Sequence, residues 1–421
     1  MNTPKKVLIG AYVRTPIGKV GGKLSRLEAS DMVAHVLKSA TRRAGIKDLS
    51  LIDLIVAGHA VQSYFEPNTA RVSAQKAGLP DNITAYTIQH QCASGINAAH
   101  AVWTALRQGK AALGIACGVE SMSLPPLIVS GKERYSGLNR WLTSRSPKFL
   151  RKMFKTYGPL PFFGLAESGL GPMKQSKDPA VLNMIKTAQI VGDLMGITRQ
   201  EADEFAARSQ HNALAAMASG RLAAEIEPIA IPGVGLVEHD EFPRQTSVET
   251  LAKLPETARS RVVTAGNASG MGDGACALVL VTEDLAEQLG IVPLAELVDV
   301  VLTGRHALTM GLGPVDAVNE LLGRNALAVS DIGYWELNEA FAAQALACIH
   351  RLGIDIEKVN RNGGGVSLSH PLGMTGARII GTGALELSLT GQEFAVATLC
   401  VGGGQGAAAL IKAYKNNSQV K

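Results

Sequence analysis

The 421-residue chain has only five cysteines, at 92, 117, 276, 348 and 400. Their odd number, wide spacing and lack of any C-x-x-C pair exclude a disulfide framework and a cysteine-ligated zinc site, so no metal is expected and a reducing compartment fits. No apolar run approaches the roughly 18 residues that cross a bilayer. The opening segment "MNTPKKVLIGAYVRTP" lacks the apolar core and small-residue cleavage site of a signal peptide, and the closing "NNSQVK" carries no address signal. A cytoplasmic location is the expectation. The net charge of +5 is mild and suggests no nucleic-acid partner. Acids are scarce in one place: between Lys132 and Lys155, Glu133 alone faces Lys132, Arg134, Arg140, Arg145, Lys148, Arg151, Lys152 and Lys155.

What is present is apolar and glycine-rich material, 46% hydrophobic residues and 45 glycines, enough for two or three domains rather than one core. Strand-like and helix-like runs alternate in both outer thirds: "KKVLIGAYV", then "EASDMVAHVLKSATRRAG", then "IDLIVAGHAV". This alternation predicts an α/β fold with buried sheets. From about 123 to 245 the chain turns richer in proline, serine and basic residues and then helical. There "TRQEADEFAARSQHNALAAMASG" opens on a capping box, Thr198 to Glu201, and stops at Gly220. It reads as an inserted, mainly helical subdomain.

An internal repeat pairs "QCASGINAAHAVWTALRQGKAALGIACG" with "SHPLGMTGARIIGTGALELSLTGQEFAVATLCVGGG". Each copy has a small-residue–glycine step (Ser94-Gly95; Thr375-Gly376), an apolar helix ending at a glycine (Gly109; Gly391), and an apolar strand with a cysteine (Cys117; Cys400). Two similar halves would bring equivalent positions to one shared crevice.

Cys92 precedes the first of these helices, where backbone N–H groups and the helix dipole are expected to lower a thiol pKa below ~8.5. An inert buried cysteine is the alternative. His370, between a triple glycine and Pro371, is placed to activate such a thiol, with Pro371 expected in the first helical turn. Cys400 precedes a glycine run whose N–H groups suit a developing oxyanion. "LNEAFAAQ" supplies Asn338, able to donate or hold a water, and Glu339, which reads as a local hydrogen-bond partner. "VVTAGNASGMGDGA" offers small residues for a narrow channel or for tight packing.

Taken in order, "RTPIGK", "CASG", "GVESMS", "TAGNASGMGDGA", "NEAFAAQ", "GGGVSLSHPLGMTGAR" and "CVGGGQG" resemble the thiolases over essentially the whole chain. The resemblance implies a thiolase fold: two duplicated α/β halves in a layered αβαβα core, residues 1–122 with 246–285 and residues 286–421, with the loop subdomain 123–245 inserted. It implies ping-pong acyl transfer between coenzyme A thioesters, which are substrates; no permanently bound cofactor is expected. Cys92 matches the acylated nucleophile, His370 its base, and Cys400 the acid/base for the second substrate. Asn338, with His370, matches one oxyanion site, and the N–H groups of Cys92 and Gly402 the other. Ser269, Ala340 and Phe341 are expected to touch substrate. A homodimer or homotetramer follows, and fatty-acid β-oxidation is favoured over biosynthesis. Gln89 stands where the family commonly has Asn, and "MIKTAQI" replaces "MGxTAEN". The basic insert faintly resembles β-subunits of fatty-acid oxidation complexes. A ketoacyl synthase acting on acyl carrier protein would be expected to carry a histidine in place of Cys400, and a non-catalytic lipid carrier would need neither cysteine.

The basic run 132–155 is expected to meet an anion: coenzyme A phosphates, a β-oxidation complex partner or a membrane surface, with a solvated face as the alternative. Reversing Arg151, Lys152 and Lys155 to Glu is expected to raise the KM for coenzyme A, most at low salt, where exposed charges are least screened. An unchanged KM with lost binding to anionic vesicles would place the run at a surface instead.

Overall fold

The computed structural model describes residues 4–63, 65–128, 167–168, 183–258 and 260–414, and the basic run 132–155 lies outside them. Nine strands form one continuous sheet, joined at its rim by the short strand Gly18–Lys19. They are β1 (Val7–Arg14), β2 (Leu54–His59), β3 (Thr84–Ile88), β4 (Leu113–Glu120), β5 (Gly272–Thr282), β6 (Ala295–Gly304), β7 (Tyr334–Leu337), β8 (Phe394–Val401) and β9 (Gln405–Ala413). The order across the sheet is β7-β8-β9-β6-β1-β5-β4-β2-β3. β1 and β5 are buried along their whole length, which is why their sequences run almost continuously apolar instead of alternating.

The duplication is visible in the pairing. β2-β4-β5-β1 and β7-β8-β9-β6 have the same pattern, one parallel pair followed by two antiparallel ones. The halves meet through their equivalent edge strands, where Leu8 pairs with Glu296 and Ile9 with Ala295. Among the described residues, eight helices of eight residues or more complete the framework: α1 (Ala29–Arg43), α2 (Thr69–Lys76), α3 (Ser94–Arg107), α4 (Met184–Met195), α5 (Arg199–Ala218), α6 (Gly313–Arg324), α7 (Ala342–Leu352) and α8 (Leu372–Thr390).

The three largest apolar cores among the described residues make this a five-layered αβαβα molecule. The central core joins α3 and α8 to both halves of the sheet, through Ile96, Val102, Met374 and Ile380 against Val56, Leu278, Ala397 and Ala409. An outer core packs α1 (Met32, Val36, Leu37) on the first half, and another packs α6 and α7 (Val318, Leu321, Leu346) on the second. Among the described residues no helix is long and apolar enough to cross a membrane.

The helices α3 and α8 touch at their first turns. A Cβ on Gly95 would lie 2.6 Å from the Gly373 carbonyl oxygen, and one on Gly376 would collide with the Ile96 backbone nitrogen. Only glycine allows this approach. Farther along, Trp103 Nε1 donates to the Leu297 carbonyl at 2.8 Å and ties α3 to the second half.

Within the segment 183–245, α4 and α5 place Val191 and Phe205 in the outer core of the second half. α5 starts on the expected capping box, with Thr198 N–H donating to Glu201 and Glu201 N–H donating to the Thr198 hydroxyl. The same segment is fastened to both halves by buried charges. Arg14 donates to both oxygens of Asp240 at 2.7 and 2.8 Å and to Glu225 at 2.7 Å, and Arg221 reaches Glu386 on α8 at 3.1 Å. Burial alone would raise the Glu225 carboxyl, but Arg14 and Arg221 outweigh it and leave the group below its ordinary value.

Arg14→Met strands two buried carboxylates, and a loss of about 3–5 kcal/mol is expected in denaturant unfolding at pH 7. Because the folded-state pKa of Glu225 is depressed, its contribution is present above the ordinary carboxylate value and lost as pH falls through the folded value. The gap between wild type and variant should therefore narrow on acidification. A gap independent of pH would contradict the ionic account.

Candidate active site

Cys92 lies in the turn between β3 and α3, with Ala93 as the N-cap. Gln91, immediately before it, has φ 48°, a left-handed conformation that non-glycine residues seldom adopt. The Ser94 hydroxyl holds this turn by donating to the Gln91 carbonyl at 2.7 Å while accepting from His90 N–H at 2.8 Å. The His90 ring contacts Gln405 across the halves, Nε2 to Oε1 at 2.8 Å. Gln405 follows the hairpin Gly402–Gly404, whose Gly403 and Gly404 have φ of 95° and 94°. This hairpin aims the Gly402 N–H at the Cys92 sulfur, where the N–H of Cys92 itself also points.

These donors do not make the resting thiol acidic. Burial pushes it up to about 11, the two N–H groups pull it back only in part, and the Glu120 charge adds to the rise. The sequence expectation of a value below ~8.5 is corrected here. Desolvation of a thiolate between two close-packed helix starts outweighs the helix N-terminus.

His370 stands in a strained turn after Ser369 (φ 80°), held by two contacts to the Gly270 carbonyl: the Ser369 hydroxyl at 2.7 Å and His370 N–H at 3.1 Å. Pro371 is the N-cap of α8, one position earlier than expected. The ring is buried, with Nδ1 2.7 Å from the Thr375 hydroxyl and Nε2 3.4 Å from Asn338 Nδ2. Burial, reinforced by the Arg378 charge, pushes the imidazole down to about 3, so it is neutral near pH 7. Asn338 follows β7, and its Oδ1 is buried with no hydrogen-bond partner.

Cys400, near the end of β8, is buried in an apolar cluster with Met310 and Ala340, against which Met184 and Phe341 pack. Burial raises its thiol, and the neighbouring Cys92 and Cys348 raise it further. Ser269 is stitched to the same place: its N–H donates to the Ala340 carbonyl at 3.0 Å, and Ala268 bridges to Phe341. The fold thus gathers Cys92, Gly402 and Cys400 before the start of α3, and His370 with Asn338 at the start of α8, the helix that α3 meets at Gly95 and Gly373. Ser269, Ala340 and Phe341 stand beside Cys400.

Sequence reading assigned no role to Glu120, although "GVESMS" contains it. It is fully buried and accepts from the N–H groups of Ala60, Val61 and Gly373 at 3.2, 3.1 and 2.9 Å, so it ties the α8 start to the first half. An acid closing an apolar strand was the available signal. Met184 and Met310 were also missed, since isolated methionines look like ordinary core. Glu339 accepts from Ser209, Asn360 and Val366, the local hydrogen-bonding role expected of it. Among the described residues no group of three or more His, Cys, Asp or Glu is placed to hold a metal ion.

This constellation is that of an acyl-transfer site built on a duplicated α/β fold. The N-terminal thiolase domain family matches residues 7–155 and 167–284, and the C-terminal thiolase domain family matches 291–413, so the chain belongs to the thiolase family. It is 40% identical to the β-ketoadipyl-CoA thiolase of Pseudomonas aeruginosa over 97% of this chain and 99% of that one. With the acetyl-CoA acetyltransferase of Syntrophomonas wolfei it shares 37% identity over 98% and 100%. Among solved structures, the Bacillus anthracis acetyl-CoA acetyltransferase superposes with a TM-score of 0.87 at 37% identity, covering 98% of this chain and 100% of that one. The human mitochondrial 3-ketoacyl-CoA thiolase in complex with CoA gives 0.85 at 32%, covering 98% and 99%.

With the thiol near 11 and the imidazole near 3, the resting pair is neutral. Alkylation of Cys92 by iodoacetamide is expected to keep rising, by about tenfold per pH unit, from pH 6 to pH 9. A plateau reached below pH 7 would reveal a preformed thiolate and contradict this electrostatic picture.

Proposed function

We propose that the protein transfers acyl groups between coenzyme A thioesters through an acylated Cys92, as a 3-ketoacyl-CoA thiolase. In the degradative direction the Cys92 thiol gives its proton to His370 as sulfur attacks the C3 carbonyl of a 3-ketoacyl-CoA. The C2–C3 bond then breaks, leaving an acyl thioester on Cys92, and the departing acetyl-CoA carbanion takes its proton from Cys400. Coenzyme A next loses its thiol proton to Cys400 and attacks the acyl group, and Cys92 leaves as a thiolate that recovers its proton from His370.

Each developing oxyanion has donors in reach: the N–H groups of Cys92 and Gly402 at one position, and at the other His370 Nε2 once protonated, with a water held by Asn338. The observation that carries the proposal is the Cys92 sulfur facing the N–H groups of Cys92 and Gly402 with a second thiol, Cys400, as its neighbour, since acyl-cysteine chemistry with two substrates needs a group to serve each. Losing one oxyanion donor costs ~10²–10³ in rate.

Met184, Met310, Ala340 and Phe341 make the surroundings of Cys400 apolar, which supports an uncharged alkyl acyl chain and with it a role in fatty-acid β-oxidation. A second reading is favoured by relatives named for β-ketoadipyl-CoA, an acyl chain that ends in a carboxylate. An oligomer, at least a dimer, is supported by the outer strand β3, which pairs on one edge only among the described residues and exposes Thr84 and Tyr86, with Phe65 97% exposed in the loop that follows β2.

Thiolysis rates for straight-chain 3-ketoacyl-CoA substrates of four to sixteen carbons, measured beside 3-oxoadipyl-CoA, test the proposal. An optimum among the alkyl substrates is expected, and preference for 3-oxoadipyl-CoA would establish the second reading. Cys400→Ser should slow turnover more than it slows acylation of Cys92, whereas His370→Asn should slow acylation itself. Equal loss of both steps in both variants would remove the division of roles.

A further inference from the structure

His370 has no carboxylate partner. In most thiol–imidazole or hydroxyl–imidazole pairs a third group fixes which ring nitrogen carries the proton, because only an unprotonated nitrogen facing the nucleophile works as a base. Here the atom opposite the reactive side is a hydroxyl: Thr375 Oγ1 lies 2.7 Å from His370 Nδ1. That hydroxyl has one proton, and it lies 2.9 Å from the Pro371 carbonyl oxygen one turn back on α8. On the other side of the ring, Nε2 faces the Asn338 amide nitrogen, which can only donate.

We infer that Thr375 is the positioning residue that locks His370 in its Nδ1–H tautomer, through a chain from Nδ1–H to the Thr375 hydroxyl to the Pro371 carbonyl, leaving the Nε2 lone pair for the Cys92 proton. Nδ1–H donates to Thr375 and Thr375 donates to Pro371, while the Asn338 amide nitrogen, 3.4 Å from Nε2, makes only a long contact that gives way when Nε2 takes the Cys92 proton. The opposite tautomer would turn the Thr375 hydroxyl to Nδ1, leave Nε2–H facing an amide donor and remove the base. The relay is neutral throughout, so nothing in it raises the imidazole out of the range to which burial and Arg378 push it. His370 takes a proton only while Cys92 is attacking. This inference rests on the thiolase reading for its rate effect but not for its structural content.

The test uses the full-length protein labelled with 15N-histidine, with the His370 ring assigned by difference against His370→Asn. The expected wild-type spectrum has Nδ1 protonated and Nε2 unprotonated at pH 7. Thr375→Val removes the hydroxyl at nearly constant volume and is expected to mix the tautomers and slow acylation of Cys92 by acetyl-CoA about 10²-fold. Thr375→Ser restores the hydroxyl and is expected to return both the ring pattern and the rate to within a few-fold of wild type. An Nε2–H tautomer in wild type, or acylation at the wild-type rate in Thr375→Val, overturns the inference. If Thr375→Val does not fold, the wild-type and Thr375→Ser spectra decide it. Failure of every protein to become acylated would count against the thiolase reading alone, since the ring spectrum still reports on Thr375.

Discussion

The two central helices can begin in contact only because Gly95 and Gly376 carry no side chain, and every part of the site depends on that contact. A methyl group at either position would meet the opposing backbone and hold the helix starts apart. Cys92 is three residues before one of these glycines and His370 six before the other, so their spacing is inherited from the helix packing and not from flexible loops. Glu120 reinforces the arrangement by accepting the Gly373 N–H from the far half. Reactive residues held by element starts rather than by long loops keep the narrow positional tolerance that proton transfer during attack requires.

The same close packing sets the electrostatics. Cys400 and His370 are buried and Cys92 is half-buried, and all three shift toward their neutral forms. A preformed thiolate–imidazolium pair would pay the full desolvation of two ions, whereas a neutral pair develops charge only in the transition state, where the N–H groups of Gly402 and Cys92 are already oriented. Thioester exchange suits such a site, because a sulfur nucleophile keeps each intermediate activated. The buried ionic network around Arg14 serves a different end. It fastens the segment carrying Glu225 and Asp240 to β1 and α8, behind the reactive residues.

Much of this was legible in the sequence because the chemistry is local. Cys92, Asn338, His370 and Cys400 each sit in short segments whose neighbours, small residues, glycines or proline, announce a turn or a helix start. The duplication was readable for the same reason, since each half repeats helix, strand and cysteine, and the fold shows matching strand patterns. The thiol pKa was not readable, because the helix start is encoded at Cys92 while the desolvation comes from packing contributed by the second half. The roles of Glu120 and Arg14 were opaque on similar grounds: their partners lie at positions 60, 61 and 373, and at 225 and 240, and although an acid closing an apolar strand marks Glu120 as unusual, nothing local says what it binds. Nor did the strand patterns reveal that the halves would join edge to edge through Leu8 and Ile9.

The account stands on Cys92 as the residue that carries the acyl group. Incubation with acetyl-CoA, acid quenching and peptide mapping by mass spectrometry tests that most directly. A single acetyl adduct on the peptide containing Cys92, absent in Cys92→Ala and discharged by added coenzyme A, is the expected result. An adduct on Cys400, or one that persists in Cys92→Ala at an active-site peptide, would contradict it.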